Sequence, residues 1–439
     1  FAVLIPGPGM FVNVQLVKVA THKLVKKLKS QLLKFLHLKL VKLLKTQLTN
    51  IVLKESISFF FFATLHALWY NYRGDIFMFE TSLKVLKKFE NKGFMAYIVG
   101  GYVRDRILGI KTLDVDIATN ATPQEIMSIF KDTVLPNEEY GAVTLYIKNY
   151  RFEITTFRKE IRYLNNRKPV EIEYIDNLLD DLMRRDFRMN TLCIDKNGNI
   201  IDLLNGREDI DNRIINTVGD SLFKFKQDSL RILRAIRFAT ILNFKLSDEV
   251  KSAIKETKGS LRNLSYNRKK QELDKIFSSS NAKYGIDLLI ELGLDEVLEI
   301  YNLKDVKLNC DLLGIWATLS VSPKYEFTSN EKGIIKDIRH VLKNGVNNYS
   351  LYQYGLYVNQ VAADILGMDR SLVAKKYDML PITSRKSIDI TSNDIMTLLN
   401  RKAGPYFKDI YNDLVVKILD GKLNNNNEEI KSYLLENYS

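Results

Sequence analysis

Cysteine is nearly absent: Cys193 and Cys310 are the only two in 439 residues, far apart and without zinc-ligand spacing. That excludes a disulfide-built secreted protein and a zinc module, and it fits a reducing cytoplasm. No hydrophobic run is long enough to cross a bilayer; Ile57–Trp69 is mostly apolar but too short. It also lies at the wrong end of its segment for a signal peptide, and no small-residue cleavage site follows. No internal repeat or disordered tract stands out beyond Asn424–Asn427. What remains is an ordinary globular composition with room for roughly two to four domains.

Acid is missing from one long stretch. Residues 16–54 are Lys/Leu repetitive and contain no Asp or Glu. Residues 1–77 hold ten Lys and one Arg against Glu55 and Asp75, which is nine of the thirteen net positive charges. The high pI is therefore mostly a property of this segment, and the rest of the chain is only mildly basic. One reading is a basic amphipathic helix on a membrane or RNA. The preferred expectation is that residues 1–77 are translated upstream sequence and that the native start is Met78. The codons of Arg73-Gly74-Asp75 can spell a purine-rich ribosome-binding site ahead of it. N-terminal sequencing of protein from the native locus decides the matter; a first residue upstream of Phe77 sinks the idea.

The chemistry concentrates in YIVGGYVRDRILGIKTLDVDIAT. Tyr97–Val99 reads as a buried strand, Gly100-Gly101 as a tight turn, Tyr102–Leu108 as a helix start and Leu113–Ala118 as a second strand. A period of two puts Asp114 and Asp116 on one face of that strand. Two carboxylates that close repel unless a cation lies between them, and hard oxygen ligands suit Mg²⁺. A glycine turn ahead of a helix lets backbone N–H groups approach a phosphate. A lone Asp-x-Asp is usually a solvated strand edge, but the combination is equipment for moving a nucleotide from a triphosphate. Elsewhere in this region Phe79–Lys92 reads as an amphipathic helix, with Leu83, Leu86 and Phe89 on one side. Thr122-Pro123-Gln124-Glu125 reads as a capping box that starts a helix. Ala142–Lys148 and Arg151–Phe157 alternate as strands, and Thr191–Leu204 reads as a hairpin around Asn197-Gly198. Beyond residue 218 the pattern is almost wholly helical, with breaks near Gly259, Pro323, Gly345 and Pro381.

From about Met78 onward the chain resembles the family of tRNA nucleotidyltransferases and bacterial poly(A) polymerases, the class II CCA-adding enzymes. The resemblance implies an α+β fold: a small mixed-sheet nucleotidyltransferase head (78–217), then an all-α neck (218–277), body (278–340) and tail (341–439). It implies Asp114 and Asp116 as metal ligands, with Glu153 in RFEITTFR completing the catalytic carboxylates. One metal would activate the RNA 3′-hydroxyl and another would hold the triphosphate and the departing pyrophosphate. Gly101 and Arg104 would contact phosphates, Arg suiting oxyanions through its planar fork. Residues 158–174, read as a charged surface loop, match the family's mobile catalytic loop, including Arg167 and Pro169. That loop is shortened or altered in relatives that add only cytidines; full length here favours addition of the final A. In Arg184-Arg185-Asp186-Phe187-Arg188-Met189-Asn190, Arg185 would contact the nucleotide and Asp186 and Asn190 the ribose.

Gln227–Phe238 reads as one helix, on which Asp228 and Arg231 are surface neighbours. By resemblance they read the base. A carboxylate accepts from the amino group of C or A and a guanidinium donates to the adjacent ring nitrogen, whereas U and G present the opposite order. Arg234 and Arg237 match nucleotide-site positions too, although steps of three around a helix turn Arg237 away from Asp228; it would brace the fold or contact phosphate. Two departures stand out: Gln227 and Asn267 replace family glutamates, the latter in the motif carrying Ser265, Arg268 and Glu272. The altered charges are expected to loosen the hold on Arg231 or the neck helix and to change fidelity or kinetics. The tail, with Ser392-Asn393-Asp394-Ile395-Met396 ahead of Lys402-Ala403-Gly404-Pro405, would hold the tRNA elbow.

The function implied is template-independent addition of C, C and A to the tRNA 3′ end from CTP and ATP, in the cytoplasm and with no membrane partner. Poly(A) polymerase is the nearest alternative; the region around Gly141 lacks the basic, aromatic run associated with that branch. CC-only or A-only addition and a non-catalytic tRNA-binding protein are the others.

Overall fold

The computed structural model describes residues 77–439 apart from 113, 132–133, 138–141, 148–149 and 165–167. The expectations placed on residues 1–76, Leu113, Gly141 and Arg167 lie outside the described residues. Packing divides the chain into Phe1–Phe79 and Glu80–Ser439.

A helix over 77–90 (α1) buries Leu86 and Phe89 as read, but Leu83 is only half-buried and Val85 is buried in its stead. The seven-stranded mixed sheet that follows is ordered β3-β4-β5-β2-β1-β8-β9. Its strands are β1 (Ala96–Val99), β2 (Val115–Thr119), β3 (Val134–Asn137), β4 (Ala142–Ile147), β5 (Tyr150–Thr156), β8 (Cys193–Ile194) and β9 (Ile200–Ile201). Helix α2 (Gly101–Leu108) joins β1 to β2. Helix α3 (Pro123–Phe130) lies in the crossover to β5, starting where the Thr122/Glu125 capping box forms as read. Because of that crossover β2 and β5 are parallel neighbours, while the other pairs in the sheet are antiparallel. Alternation buries Ile98, Ile117, Phe152 and Ile154. The hairpin around Asn197-Gly198 forms, with Gly198 at φ 82°.

Residues 158–174 correct an expectation. They form an antiparallel pair, β6 (Arg158–Leu164) and β7 (Lys168–Tyr174), where a loop was read. The alternation Val170-Glu171-Ile172-Glu173-Tyr174 carried that signal, masked by the charges around it. Helix α4 (Leu178–Met183) follows. Beyond the head lie α5 (Gly206–Asn212), α6 (Ser221–Gln227), α7 (Leu230–Leu242), α8 (Asp248–Thr257), α9 (Tyr266–Phe277), α10 (Ala282–Glu291) and α11 (Leu294–Val297). A two-strand parallel ribbon, β10 (Ile214–Ile215) with β11 (Lys245–Leu246), interrupts the helical run and was not legible as strand. Then come α12 (Leu312–Thr318), α13 (Ser329–Asn344), α14 (Asn348–Leu366), α15 (Arg370–Asp378), α16 (Ser392–Leu399), α17 (Tyr406–Leu419) and α18 (Asn427–Tyr438). The four breaks at Gly259, Pro323, Gly345 and Pro381 all fall between α-helices.

Helix α14 also breaks, at Gly355 (φ 74°, ψ 178°), a conformation closed to residues with a side chain. Fully buried Asn359 repairs the gap: its Nδ2 donates to the Ser350 and Gly355 carbonyls (2.8 Å each) and its Oδ1 accepts from the Ser350 hydroxyl at 2.7 Å. The Asn424–Asn427 run is ordered as well. Asn425 and Asn427 clasp the backbone of Ser387 and Asp389, and Asn426 caps α18.

Candidate active site

Three carboxylates gather at the edge of the Gly100 turn. Asp114 lies just ahead of β2, which starts at Val115, so the two aspartates do not share a strand as the sequence suggested. Asp116 is in register with Val99 of β1 on one side and with Glu153 of β5 on the other. Asp116 and Glu153 are therefore directly adjacent across a parallel pair. Asp116 opens to solvent, yet the protein around it, then Glu153 and, more weakly, Asp114, push its carboxyl up to about 6, against the pull of Arg185. Among the described residues no group of three or more His, Cys, Asp or Glu side chains closes into a metal cage. The donor set still fits a hard cation: all its atoms are oxygens, and repulsion from Glu153 and Asp114 adds to the effect of burial in raising Asp116. Glu153 meets the exposed guanidinium of Arg151 at 3.4 Å.

Gly100 makes this arrangement possible. Its φ of 74° is a glycine conformation, and a Cβ there would sit 3.3 Å from Asp116 Oδ2 and 3.5 Å from Arg185 Nη1. Asp116 and Arg185 thus face each other across a backbone stripped of its side chain. Gly101 opens α2, whose first N–H groups are available to an anion. Arg185 is steered by Asp181, a fully buried carboxylate that also binds Arg184 and the Arg158 N–H at the base of the β6–β7 pair. Burial would raise Asp181, but Arg184 and Arg185 hold it below the ordinary range. Sequence reading missed Asp181, although its spacing of three and four from the two arginines was the available signal.

Behind the carboxylates runs a chain of buried pairs. Arg104 is 7% exposed; its Nη1 donates to Asn190 Oδ1 (2.7 Å) and its Nε to Asp105 (2.8 Å). Asn190 donates in turn to Asp186 (3.2 Å), and Arg234 closes on Asp186 at 2.6 Å. Burial alone would push Asp186 up, but Arg234 and Asn190 hold it down at about 2. Arg104, Asp186, Asn190 and Arg234 are thus one network, and the guanidinium of Arg104 is engaged by protein partners. Arg237 turns from Asp228 and pairs with Glu272 of α9 at 2.6 Å, a bracing contact.

The base-reading pair is built differently from expected. The run from Gln227 to Phe238 is not one helix: Asp228 ends α6 in extended conformation and α7 begins at Leu230. The Asp228 carboxylate accepts the Leu230 N–H at 3.0 Å, so this acid side chain caps a new helix instead of riding on the surface of a continuing one. Burial raises the Asp228 carboxyl, against the pull of Arg231. Arg231 is held from behind: Nη1 donates to the Lys224 carbonyl (3.3 Å) and to Gln227 Oε1 (2.7 Å), and Nη2 to the Arg184 carbonyl (3.2 Å). Those bonds use three of the five N–H donors that a guanidinium carries. Buried Lys224, which sequence reading passed over, donates to the carbonyls of Met183 (2.6 Å) and Arg185 (3.0 Å). The 183–185 backbone is therefore clamped by two neck cations. The adjoining residues zip onto 216–218 through Arg188 N–H to Asn216 and Val218 N–H to Asp186.

A family model described as the poly A polymerase head domain matches residues 96–216. A polymerase A RNA-binding-site model matches 243–300, and a model for tRNA nucleotidyltransferase domain 2 matches 326–434. The CCA-adding enzyme of Staphylococcus epidermidis is 31% identical over 404 residues, covering 81% of this chain and 98% of that one. That of Anoxybacillus flavithermus is 33% identical over 386 residues, covering 82% and 97%. The crystal structure of the Bacillus stearothermophilus CCA-adding enzyme in complex with CTP has a TM-score of 0.74 at 27% identity, over 82% of this chain and 97% of that one. With the match running across nearly the whole length of these relatives, the chain belongs to the CCA-adding enzymes, tRNA nucleotidyltransferases with a poly(A) polymerase head domain.

Proposed function

We propose that this protein adds the terminal C, C and A to tRNA 3′ ends from CTP and ATP, without a nucleic-acid template and with release of pyrophosphate. One observation carries the reading. The Arg184 carbonyl receives Arg231, and the next residue, Arg185, faces Asp116 across Gly100. Arg231 and Asp116 are thus met by two adjacent residues of one backbone segment, Arg184 and Arg185.

Asp114 and Asp116, with Glu153 beside them, would hold Mg²⁺, which when bound supplies activation of the RNA 3′-hydroxyl and charge neutralisation for the departing pyrophosphate. The N–H groups opening α2 at Gly101, together with Arg185, meet the triphosphate. Asp228 accepts from the exocyclic amine of C or A, and the remaining donors of Arg231 address the ring nitrogen. Uracil or guanine would set an acceptor against the carboxylate and a donor against the guanidinium, costing about 1–3 kcal/mol for each bond not made. Arg104, Asn190, Asp186 and Arg234 hold the floor on which the nucleotide lies. The head over 78–217 does the chemistry, the neck over 218–277 reads the base, and the body and the tail over 341–439 grip the tRNA body and elbow. Cytoplasmic tRNA is the substrate. No helix among the described residues is long and apolar enough to cross a membrane.

Replacing Asp116 with Ala tests the catalytic role. The variant is expected to lose about a hundredfold or more in nucleotide addition while binding tRNA as before. A variant that keeps full turnover contradicts the reading.

A further inference from the structure

Phe238, on α7 beyond Arg234, is the meeting point of three guanidinium groups. Arg237 lies 4.2 Å from its ring centroid, Arg104 5.1 Å and Arg234 5.4 Å. The ring is 8% exposed, and Phe187 meets it edge-on at 5.7 Å. Each arginine has its own carboxylate: Asp105 for Arg104, Asp186 for Arg234, Glu272 for Arg237. Asn190 links Arg104 to Asp186 and so to Arg234, while Glu272 of α9 holds Arg237 separately. The ring is a group that all three arginines share. Its negative π face attracts cations, and an aliphatic side chain of similar size would fill the space without that attraction.

The ring also stands at a junction. Arg104 belongs to α2, which starts at the Gly100 turn beside Asp116. Phe187 lies two residues beyond the 183–185 segment clamped by Lys224 and Arg231. Arg234, Arg237 and Phe238 belong to the helix that Asp228 caps. We infer that Phe238 is a positioning residue for nucleotidyl transfer: its ring holds Arg104, Arg234 and Arg237 in one arrangement and so sets the distance between the base-reading end of α7 and the carboxylates of β2 and β5. The inference rests on the functional reading above.

The test compares Phe238→Leu, which loses the ring, with Phe238→Tyr, which keeps it, in the full chain. Thermal melting, kcat, KM for CTP, for ATP and for a tRNA lacking CCA, and misincorporation of UTP are measured together. Phe238→Leu is expected to melt as a folded protein, to lose about tenfold in kcat with KM for tRNA unchanged, and to misincorporate more U. Phe238→Tyr is expected to keep kcat within about twofold of the parent. A folded Leu variant with parental kcat and discrimination overturns the inference. So does a Tyr variant as slow as the Leu variant, because shape alone would then explain the loss. If the Leu variant does not fold, Phe238→Met is read in its place by the same criteria. A parent protein that adds neither base refutes the functional reading itself, and that outcome is distinct from the other two.

Discussion

Asp186 joins catalysis to stability through a single carboxylate. Folded, it titrates at about 2 against an ordinary value of 3.8. A depressed folded value means that the folded state binds the proton less readily than the unfolded chain does. Its contribution, about 2 kcal/mol, is therefore fully present above the unfolded value and drains away as pH falls through about 2. Melting followed from about pH 5 downward is expected to show this loss, and Asp186→Asn should flatten the curve in the same window. An unchanged pH slope in the variant would mean that Arg234 does not hold Asp186 in this way. Gln227 raises a second question at this scale. Its neutral oxygen supports Arg231 at 2.7 Å, at a position where the family resemblance implies a glutamate. Gln227→Glu turns that bond into an ion pair and is expected to improve rejection of UTP about fivefold. Equal discrimination in the two proteins would show that the amide costs nothing.

At the element scale the β6–β7 pair is the piece whose form sequence reading got wrong and whose anchoring is now visible. Its first residue gives its N–H to Asp181, the same carboxylate that aims Arg185 at the Gly100 turn. The pair is thereby tied through one carboxylate to the arginine that faces Asp116. Replacing residues 160–172 with a short turn is expected to leave C addition within about threefold and to stall products after CC, resolved on a sequencing gel. Full A addition by the shortened protein would deny the pair that role. The α14 break makes a separate stability prediction. Asn359→Leu removes the bonds that close the chain around Gly355 and should cost about 2–4 kcal/mol in urea unfolding, without altering nucleotide selection. Elements whose cause is local were legible: the Thr122 box, the Asn197-Gly198 turn and the apolar stripe of α1. The Asp228 break was not, because Leu230 through Phe238 carry a helical pattern that runs smoothly back across it. The decisive event is a side chain capping the N–H two residues on. The two-residue strands β10 and β11 were illegible for the opposite reason: they pair across 31 residues and have no pattern of their own.

For the molecule as a whole, the order of head and helical domains was readable because glycine turns, paired carboxylates and helical periodicity are written in short spans. The wiring of the site was not. Arg104 finds Asn190 86 residues away, and Arg231 finds the Arg184 carbonyl 47 residues away. No local pattern announces such partners, and so Asp181, Lys224 and Phe238 emerged only once the chain was folded. The same wiring makes the central claim testable in one experiment. The protein, Mg²⁺ and a tRNA transcript ending just before CCA are given CTP, ATP or both, and products are read at single-nucleotide resolution. The account predicts two additions with CTP alone and three with both, followed by a stop. A long A ladder with ATP, or products that never pass CC with both nucleotides present, would contradict it.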